Sequence, residues 1–246
     1  MAKFSRVFRK LGYALLYADF IRRPFCRLRW IFLRRNLQFQ NKDSVSNAVG
    51  RDTINHNFTA LSRGDTAAFG MAKRMSLLLF PVAAILKDRI EKSRVLIVGP
   101  RTEDDIFWAK SLGLWNTEGF DLFSYSKHIK VGDIHASGLP SASYDAVLLG
   151  WMISYSADPA AVVAECRRLL KPGGLLGIGI ESNPLQRAQG IQPPRVNSLN
   201  STADLIELVG APVAFSNEPF EDVLYDCAVV FKLPPGDGST GPRVSQ

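Results

Sequence analysis

Short apolar runs recur between residues 93 and 181, and each run stops at a glycine or an acidic residue. The first covers residues 95–98 and is followed by Gly99, and the last covers residues 175–180 and is followed by Glu181. Longer amphipathic segments separate them. Leucine-rich or β-branched runs that alternate with helical patterns predict a parallel α/β sheet. This stretch therefore forms the central domain, to which the rest of the chain is attached.

The predicted elements of this domain alternate along the chain and continue beyond residue 181. A first strand ends at Gly99, and Thr102 is placed to cap the helix that follows it. We expect further strands ending at Asp121 and spanning 129–131, 146–150, 175–181, 213–216 and 226–231, with helices near 102–112, 159–170 and 201–209.

The order of the motifs resembles the class I S-adenosylmethionine (SAM)-dependent methyltransferases. The motifs are the strand before Gly99, the strand ending at Asp121, the pair Gly132-Asp133 and the turn Leu170-Lys171-Pro172-Gly173-Gly174, of which the turn is the specific signal. The resemblance covers residues 93–181 and extends to about residue 232. It implies an α/β, Rossmann-like seven-stranded sheet with helices on both faces and an antiparallel last strand, here preceded by an N-terminal helical extension.

The resemblance also implies a SAM site at the carboxyl ends of the strands, where open α/β sheets bind ligands. Asp121 lies 22 residues beyond Gly99, close to the roughly 20 residues expected of an acid that accepts from ribose hydroxyls. By the resemblance, Asp121 holds the ribose and Asp133 the adenine amino group; the alternative for either is a solvated side chain at a strand end. The cofactor-binding residues that we predict are Gly99, Arg101, Thr102, Glu103, Asp121, Asp133 and Trp151.

The loop after the first strand departs from the family pattern. The family has an acid two residues before the first glycine, where this chain has Ile97, and glycines at the positions of Arg101 and Glu103. Those glycines let the backbone approach the methionine part of SAM. In one arrangement Arg101 pairs with the methionine carboxylate, and Glu103 or Asp104 with its ammonium group. In the other, Arg101 fills the site. We favour binding, because the two later acids and the closing turn are retained.

The candidate catalytic residues lie at the same rim of the sheet. Methyl transfer is an in-line displacement, so the protein mainly aligns the reacting atoms, and a base is needed only when the acceptor arrives protonated. Glu181 ends the fifth strand and is the best-placed base, while Tyr155 follows the fourth strand and His135 follows Asp133. Residues 182–200 form a long insertion, which we interpret as a lid whose arginines favour an anionic acceptor group.

Residues 1–35 carry most of the positive charge. They hold ten Lys or Arg and one acid, Asp19, a net +9 against +7 for the whole chain. Apolar residues at helical spacing beside arginines predict a helix that lies on an anionic membrane surface. The alternatives are a helix packed on the domain or on a partner subunit, and nucleic-acid binding, which we consider unlikely because no recognition motif accompanies the charge. Pro24 predicts an interruption of this segment.

The chain divides into a basic amphipathic segment (1–35), a helical lead-in (36–92), the α/β domain (93–233) and a disordered tail (234–246). Three widely spaced cysteines suggest neither a disulfide framework nor a metal site, and they fit a reducing compartment. We therefore expect a cytoplasmic SAM-dependent methyltransferase, peripheral on the inner face of the membrane, with a small or a lipid- or sugar-linked acceptor. The alternative is a non-catalytic protein of the same fold that acts as a binding or scaffolding partner.

Overall fold

The computed structural model describes residues 2–41, 54–55, 59, 74–182, 197–217 and 225–235. Its strands are β1 (Gln38–Phe39), β2 (Arg94–Val98), β3 (Asn116–Asp121), β4 (Phe123–Ser124), β5 (Ile129–Val131), β6 (Tyr144–Gly150), β7 (Leu170–Ser182), β8 (Val213–Ser216) and β9 (Tyr225–Lys232). Its α-helices are α1 (Ala2–Leu15), α2 (Asp19–Leu33), α3 (Ser76–Ile85), α4 (Asp104–Ser111), α5 (Pro159–Leu169) and α6 (Thr202–Val209).

Seven of the described strands form one sheet, in the order β5-β3-β2-β6-β7-β9-β8. Neighbours from β5 to β7 are parallel, whereas β9 is antiparallel to both β7 and β8. The chain runs outward from β2 through β3 to β5 and then returns to place β6 on the other side of β2. The predicted Rossmann-like sheet with an antiparallel last strand is confirmed, and its strand order reverses between β2 and β6.

Both faces of the sheet are covered by helices. This follows from β2, whose successive side chains point to opposite faces of the sheet and are buried on both. Val95 and Ile97 are fully buried on the face that packs against α3 and α4, and Leu96 and Val98 face the core beneath α5 and α6. A strand with successive side chains buried on opposite faces reads as a continuous apolar run. Full burial of each such side chain contributes about 1.5–3 kcal/mol, so these two layers hold the ends of the strands in fixed positions.

The N-terminal extension is helical, but its interruption lies elsewhere than predicted. Pro24 lies inside α2, so the prediction that it interrupts the segment is wrong; α1 and α2 are instead separated by residues 16–18. A proline removes one backbone hydrogen bond, and the contacts of buried Arg22, Cys26 and Trp30 hold the helix on both sides of it. Pro81 likewise lies inside α3 without ending it.

The helices α1 and α2 pack on the α/β domain beside α4 and β4. Leu16, Cys26 and Trp30 share a buried cluster with Phe107 and Tyr125. The rings of Trp30 and Tyr125 meet edge to face with centroids 4.8 Å apart, a favourable geometry for an aromatic pair. One face of the N-terminal segment therefore packs on the domain, which was one of the alternatives that the sequence left open.

The described helices include none that is long and apolar enough to cross a membrane. The predicted lid, with Arg187 and Arg195, lies mostly outside the described residues, and so does most of the predicted tail. The domain boundaries given above stay predictions.

Candidate cofactor and acceptor site

The loop that follows β2 contains two residues in the left-handed region of the backbone. Gly99 has φ +70° and Arg101 has φ +55°. A Cβ on Gly99 would lie 2.8 Å from Cβ of Met152, so glycine is needed here for space as well as for conformation. A left-handed backbone costs a residue with a Cβ about 1–2 kcal/mol. At Arg101, where the family has glycine, the chain thus retains the backbone conformation that glycine adopts without cost.

Asp121 closes this loop from the side of β3. Its Oδ2 accepts from the Arg101 N–H at 2.9 Å, and its Oδ1 accepts from the Leu122 N–H at 2.7 Å. The side chain is buried, and burial raises the pKa of Asp121 to about 6 against the opposing effect of these hydrogen bonds. Because an ionised carboxylate can accept about four hydrogen bonds, Asp121 keeps capacity for donors such as ribose hydroxyls.

Asp133 lies at the end of the neighbouring strand β5. Gly132 donates its N–H to the Asp121 carbonyl at 2.9 Å, which ties the two strand ends together. A Cβ on Gly132 would overlap the Phe120 ring, so glycine lets the chain pass over that ring. The predicted ribose and adenine residues therefore follow adjacent strands, and both are buried.

His135 links the ends of β5 and β6. Its Nδ1 lies 2.7 Å from Asp133 Oδ1, and its Nε2 lies 2.7 Å from Ser156 Oγ. A carboxylate only accepts, so Nδ1 donates to Asp133, while Ser156 lies within hydrogen-bond distance of Nε2. The connectivity is that of a nucleophile triad, but Ser156 is 1% exposed, and its hydroxyl also accepts from the Asp158 N–H. The arrangement orients Asp133, and a proton-handling role of His135 stays a prediction.

Residues 102–104 face the N-terminal helices. The prediction that Thr102 caps the helix is wrong, because α4 begins at Asp104 with Glu103 at its N-cap; Thr102 lies one residue earlier and accepts from the Asp104 N–H at 3.2 Å. Glu103 is fully buried, and its carboxylate accepts from Arg29 Nε at 2.7 Å and from Arg29 Nη2 at 2.8 Å. Asp104 accepts from Arg22 Nε at 3.1 Å. The two acids predicted to pair with the ammonium group of SAM instead pair with arginines of α2, so we do not include them in the proposed cofactor site.

The acceptor side contains Trp151 and a cluster of charges. Trp151 has φ +57°, and the close approach of its indole to Gly179 leaves no room for a Cβ at that position. The Arg74 guanidinium lies 5.7 Å from the Trp151 ring centroid and 3.0 Å from Asp226 Oδ1. It also pairs with Glu181. Glu181, our predicted base, is therefore ion-paired in the structure, and its catalytic role stays a prediction.

Tyr155 ends a short 3₁₀ turn, Ile153–Tyr155, directly after β6. It is half-buried at the same rim as Trp151 and His135, which is where we predicted it. Its catalytic role stays a prediction.

Four side chains of this region escaped the sequence analysis. Arg22 and Arg29 lie seven residues apart on α2, on the face that also carries buried Cys26, and this spacing was the available signal. No such signal existed in the sequence for Ser156 and Arg74, because their partners, His135 and Glu181, lie 21 and 107 residues away along the chain.

Residues 114–178 match the model of a family described as a methyltransferase domain. The matched segment includes Asp121, Asp133 and the closing turn, and it begins after the loop at Gly99. A curated protein, the uncharacterized 37.1 kDa protein in transposon TN4556 of Streptomyces fradiae, is 41% identical over 51 residues. The chain spans about 15% of the length of that relative, and the match covers 21% of this chain.

Solved structures share the fold at low sequence identity. A chain of the complex between the Haloferax volcanii Trm112 methyltransferase activator and a methyltransferase has a TM-score of 0.51 and 17% identity, with 77% of this chain and 99% of that chain covered. The [4+2]-cyclase SpnF has a TM-score of 0.50 and 14% identity, with 63% of this chain and 80% of that chain covered.

The fold, the matched domain and the position of the two buried aspartates all agree with the resemblance found in the sequence. Similarity at such low identity concerns the fold alone, and one fold supports several chemistries. S-adenosylmethionine is supported as the cofactor, and the alternative of a non-catalytic protein is not favoured. The chain has the fold of the class I, SAM-dependent methyltransferases, and its residues 114–178 match a methyltransferase domain.

Proposed function

We propose that this chain is a SAM-dependent methyltransferase that holds its cofactor along the edge formed by Gly99, Arg101, Asp121 and Asp133. The observation that carries the proposal is the pair of buried carboxylates at the ends of adjacent parallel strands, beside a left-handed turn. When bound, SAM supplies an activated methyl group. Buried acceptors strongly favour ligands that bring matching donors, and ribose hydroxyls and the adenine amino group are such donors.

The remaining residues of the rim would orient the ligands. The guanidinium of Arg101 lies near enough to Asp121 to oppose the effect of burial on the pKa of that carboxyl, and we assign it to the methionine carboxylate. Trp151 would form a wall between cofactor and acceptor. Glu181 and Tyr155 would line the acceptor side, where the protein aligns the nucleophile and excludes water. The acceptor would be a small molecule or a lipid- or sugar-linked group.

Calorimetric titration with SAM and with S-adenosylhomocysteine tests the cofactor site. Asp121→Asn should weaken binding at least tenfold, which corresponds to about 1.4 kcal/mol, the value of one hydrogen bond to a charged group. Asp145→Asn is the control, because this aspartate is also buried and accepts from a backbone N–H, that of Arg94. It is the second residue of β6 and also pairs with Lys171, at the opposite end of the strands from the proposed site. Binding unaffected by Asp121→Asn would place the ribose elsewhere. A folded wild-type protein that binds neither ligand would refute the proposal.

We further propose that the protein works at an anionic membrane surface through the outward faces of α1 and α2. These faces carry large exposed apolar side chains, with 80% exposure at Phe20 and 69% at Phe32. The exposed arginines Arg27, Arg34 and Arg35 accompany them on α2 and the turn that follows it. Apolar side chains beside arginines suit a helix that lies in the interface of an anionic bilayer. The other exposed apolar side chains of these faces are Phe8, Leu11, Leu15, Tyr17, Phe25, Leu28 and Ile31.

Sedimentation with phosphatidylglycerol and phosphatidylcholine vesicles tests this surface. Deletion of residues 1–35 is unsuitable, because it would uncover the buried Glu103 carboxylate. Phe20→Ser combined with Phe32→Ser should abolish sedimentation with the anionic vesicles, whereas Ile206→Ser, an exposed apolar position on α6, should not. Sedimentation that survives the double substitution would refute the membrane proposal. Absence of sedimentation in the wild type, with a larger assembly in solution, would assign the surface to a protein partner.

A further inference from the structure

Two arginines of α2 hold the segment of chain that joins the cofactor loop to α4. The guanidinium of Arg29 donates to both carboxylate oxygens of Glu103, at 2.7 and 2.8 Å, and that of Arg22 donates to the carboxylate of Asp104. The Glu103 N–H donates to the Tyr125 hydroxyl at 3.1 Å. Two consecutive residues are thus fixed by their side chains to α2, and one of them also by its backbone to the domain.

The cofactor loop is therefore held from both ends. On the inner side, the Arg101 N–H is bound by Asp121. On the outer side, Glu103 is bound by Arg29. The left-handed Arg101 is itself the inner of these two attachment points, and such a conformation persists only where its surroundings over-determine it. Glu103 is fully buried, and its carboxylate also accepts from the Ser126 hydroxyl. Loss of Arg29 would remove the cation that neutralises this carboxylate, and a hydroxyl cannot replace that charge, so the loop would be driven to move.

We infer that α2 is a positioning element of the cofactor site, in which Arg29 sets the shape of the loop that receives the methionine part of SAM. This inference rests on the proposed function. It also accounts for a glutamate at a position where the family has glycine: the side chain of Glu103 points to α2 and is needed there. The backbone of Glu103 is right-handed, with φ −75°. The ion pair from outside the domain therefore fixes the position of the chain next to Arg101, where the left-handed conformation is kept without a glycine.

The inference predicts a loss of binding that depends on the ligand. SAM and S-adenosylhomocysteine contact the loop through their methionine part, whereas adenosine lacks that part and relies on Asp121 and Asp133. Arg29→Gln should therefore raise the Kd for SAM about tenfold or more and leave the Kd for adenosine within about twofold. Arg29→Lys keeps the positive charge and should therefore retain more of the SAM affinity than Arg29→Gln. It should not retain all of it, because an ammonium group cannot make the two parallel hydrogen bonds of a guanidinium. Amide hydrogen exchange of residues 99–105 should accelerate in Arg29→Gln.

Arg27→Gln is the matched control, because Arg27 is exposed on the same helix; it should change neither Kd. If Arg29→Gln does not fold, Glu103→Gln takes its place, since it removes the buried charge as well as the bidentate pair, and the same selective loss is expected. Unchanged SAM affinity, or equal weakening of SAM and adenosine, would overturn the inference and leave α2 a role in folding alone. A wild type that binds adenosine but not SAM, or neither, would instead refute the proposed function.

Discussion

The buried Arg22 offers the sharpest test of how the N-terminal helices are held. Its side chain is 1% exposed, and it donates to Asp104 Oδ1 at 3.1 Å and to Asp19 Oδ1 at 2.7 Å. It also donates to the carbonyls of Leu16 and Tyr17, each at 3.2 Å. Arg22→Met keeps much of the apolar length of the side chain but removes every donor.

The expected loss is large because both partners of the ion pair are buried. The side chain of Asp104 is 3% exposed, so solvent would not compensate a carboxylate that loses its arginine. Removal of one member of such a pair costs about 3–5 kcal/mol. Arg27→Met removes an exposed arginine from the same helix and should change the free energy of unfolding by no more than about 0.5 kcal/mol.

The pH dependence of this loss has a definite sign. Burial raises the pKa of the Asp104 carboxyl above its ordinary value of 3.8, although Arg22 opposes the shift. An acid whose pKa is higher in the folded state binds more protons there than in the unfolded state, so its contribution to stability falls as the pH rises above 3.8. Without Arg22 the folded-state pKa rises further. The deficit of Arg22→Met should therefore be largest near pH 7 and should shrink toward pH 4.

Urea denaturation at several pH values measures the deficit, and amide hydrogen exchange locates it. Exchange should accelerate in α2 and in the first turn of α4, whether the helices undock alone or the whole domain unfolds. A deficit below about 1 kcal/mol at pH 7 would refute the reasoning about the buried pair. A large deficit that does not vary with pH would attribute the loss to packing instead of charge.

Two further predictions concern the cofactor site. Gly99→Ala should lower the free energy of unfolding by about 2 kcal/mol or more, measured by urea denaturation. It combines a left-handed backbone with a 2.8 Å contact between the new Cβ and Met152. The control is Gly138→Ala, where φ is +66° but no atom lies within 4 Å of the new Cβ; it should cost only about 1 kcal/mol, and equal losses would contradict the role of Met152. The affinity for SAM should fall as the pH is lowered from 8 to below 6, because the pKa of Asp121 is about 6 and protonation of its carboxylate removes a hydrogen-bond acceptor. Calorimetry should show this pH dependence in the wild type and not in Asp121→Asn. A wild-type affinity that is the same at both pH values would contradict the prediction.

The sheet was predictable because each strand carries its own signal. Buried parallel strands appear as apolar runs, and the residues that end them, such as Asp121, lie where the chain leaves the core. The span of β5 and that of β8 agree with the predicted ones at both ends. The start of β7 was missed, since Leu170 already pairs with Tyr144 and the closing turn forms an irregularity within the strand.

The partners of the charged residues were not predictable in the same way. Glu103 and Asp104 lie at the start of a predicted helix, where acids are favoured by the positive end of the helix dipole whatever their other partners are. Their actual partners, Arg29 and Arg22, lie far away in sequence, and periodicity carries no information about which distant charge neutralises a buried one. The left-handed conformation of Arg101 was hidden for a related reason, because its neighbours and not its residue type impose it.

The distance along the chain between these partners also has a consequence for synthesis. Arg29 precedes Glu103 by 74 residues, and Arg22 precedes Asp104 by 82. At about 5–20 residues per second, a ribosome needs roughly 4–16 s to supply the acids after the arginines. Throughout that interval the packing face of α2, which carries Arg22, Arg29 and the apolar Cys26 and Trp30, lacks the residues of the domain that it will contact. A nascent chain in this state exposes a surface suited to a chaperone or to an anionic bilayer, before the residues of α4 and β4 that α2 finally packs against have been made.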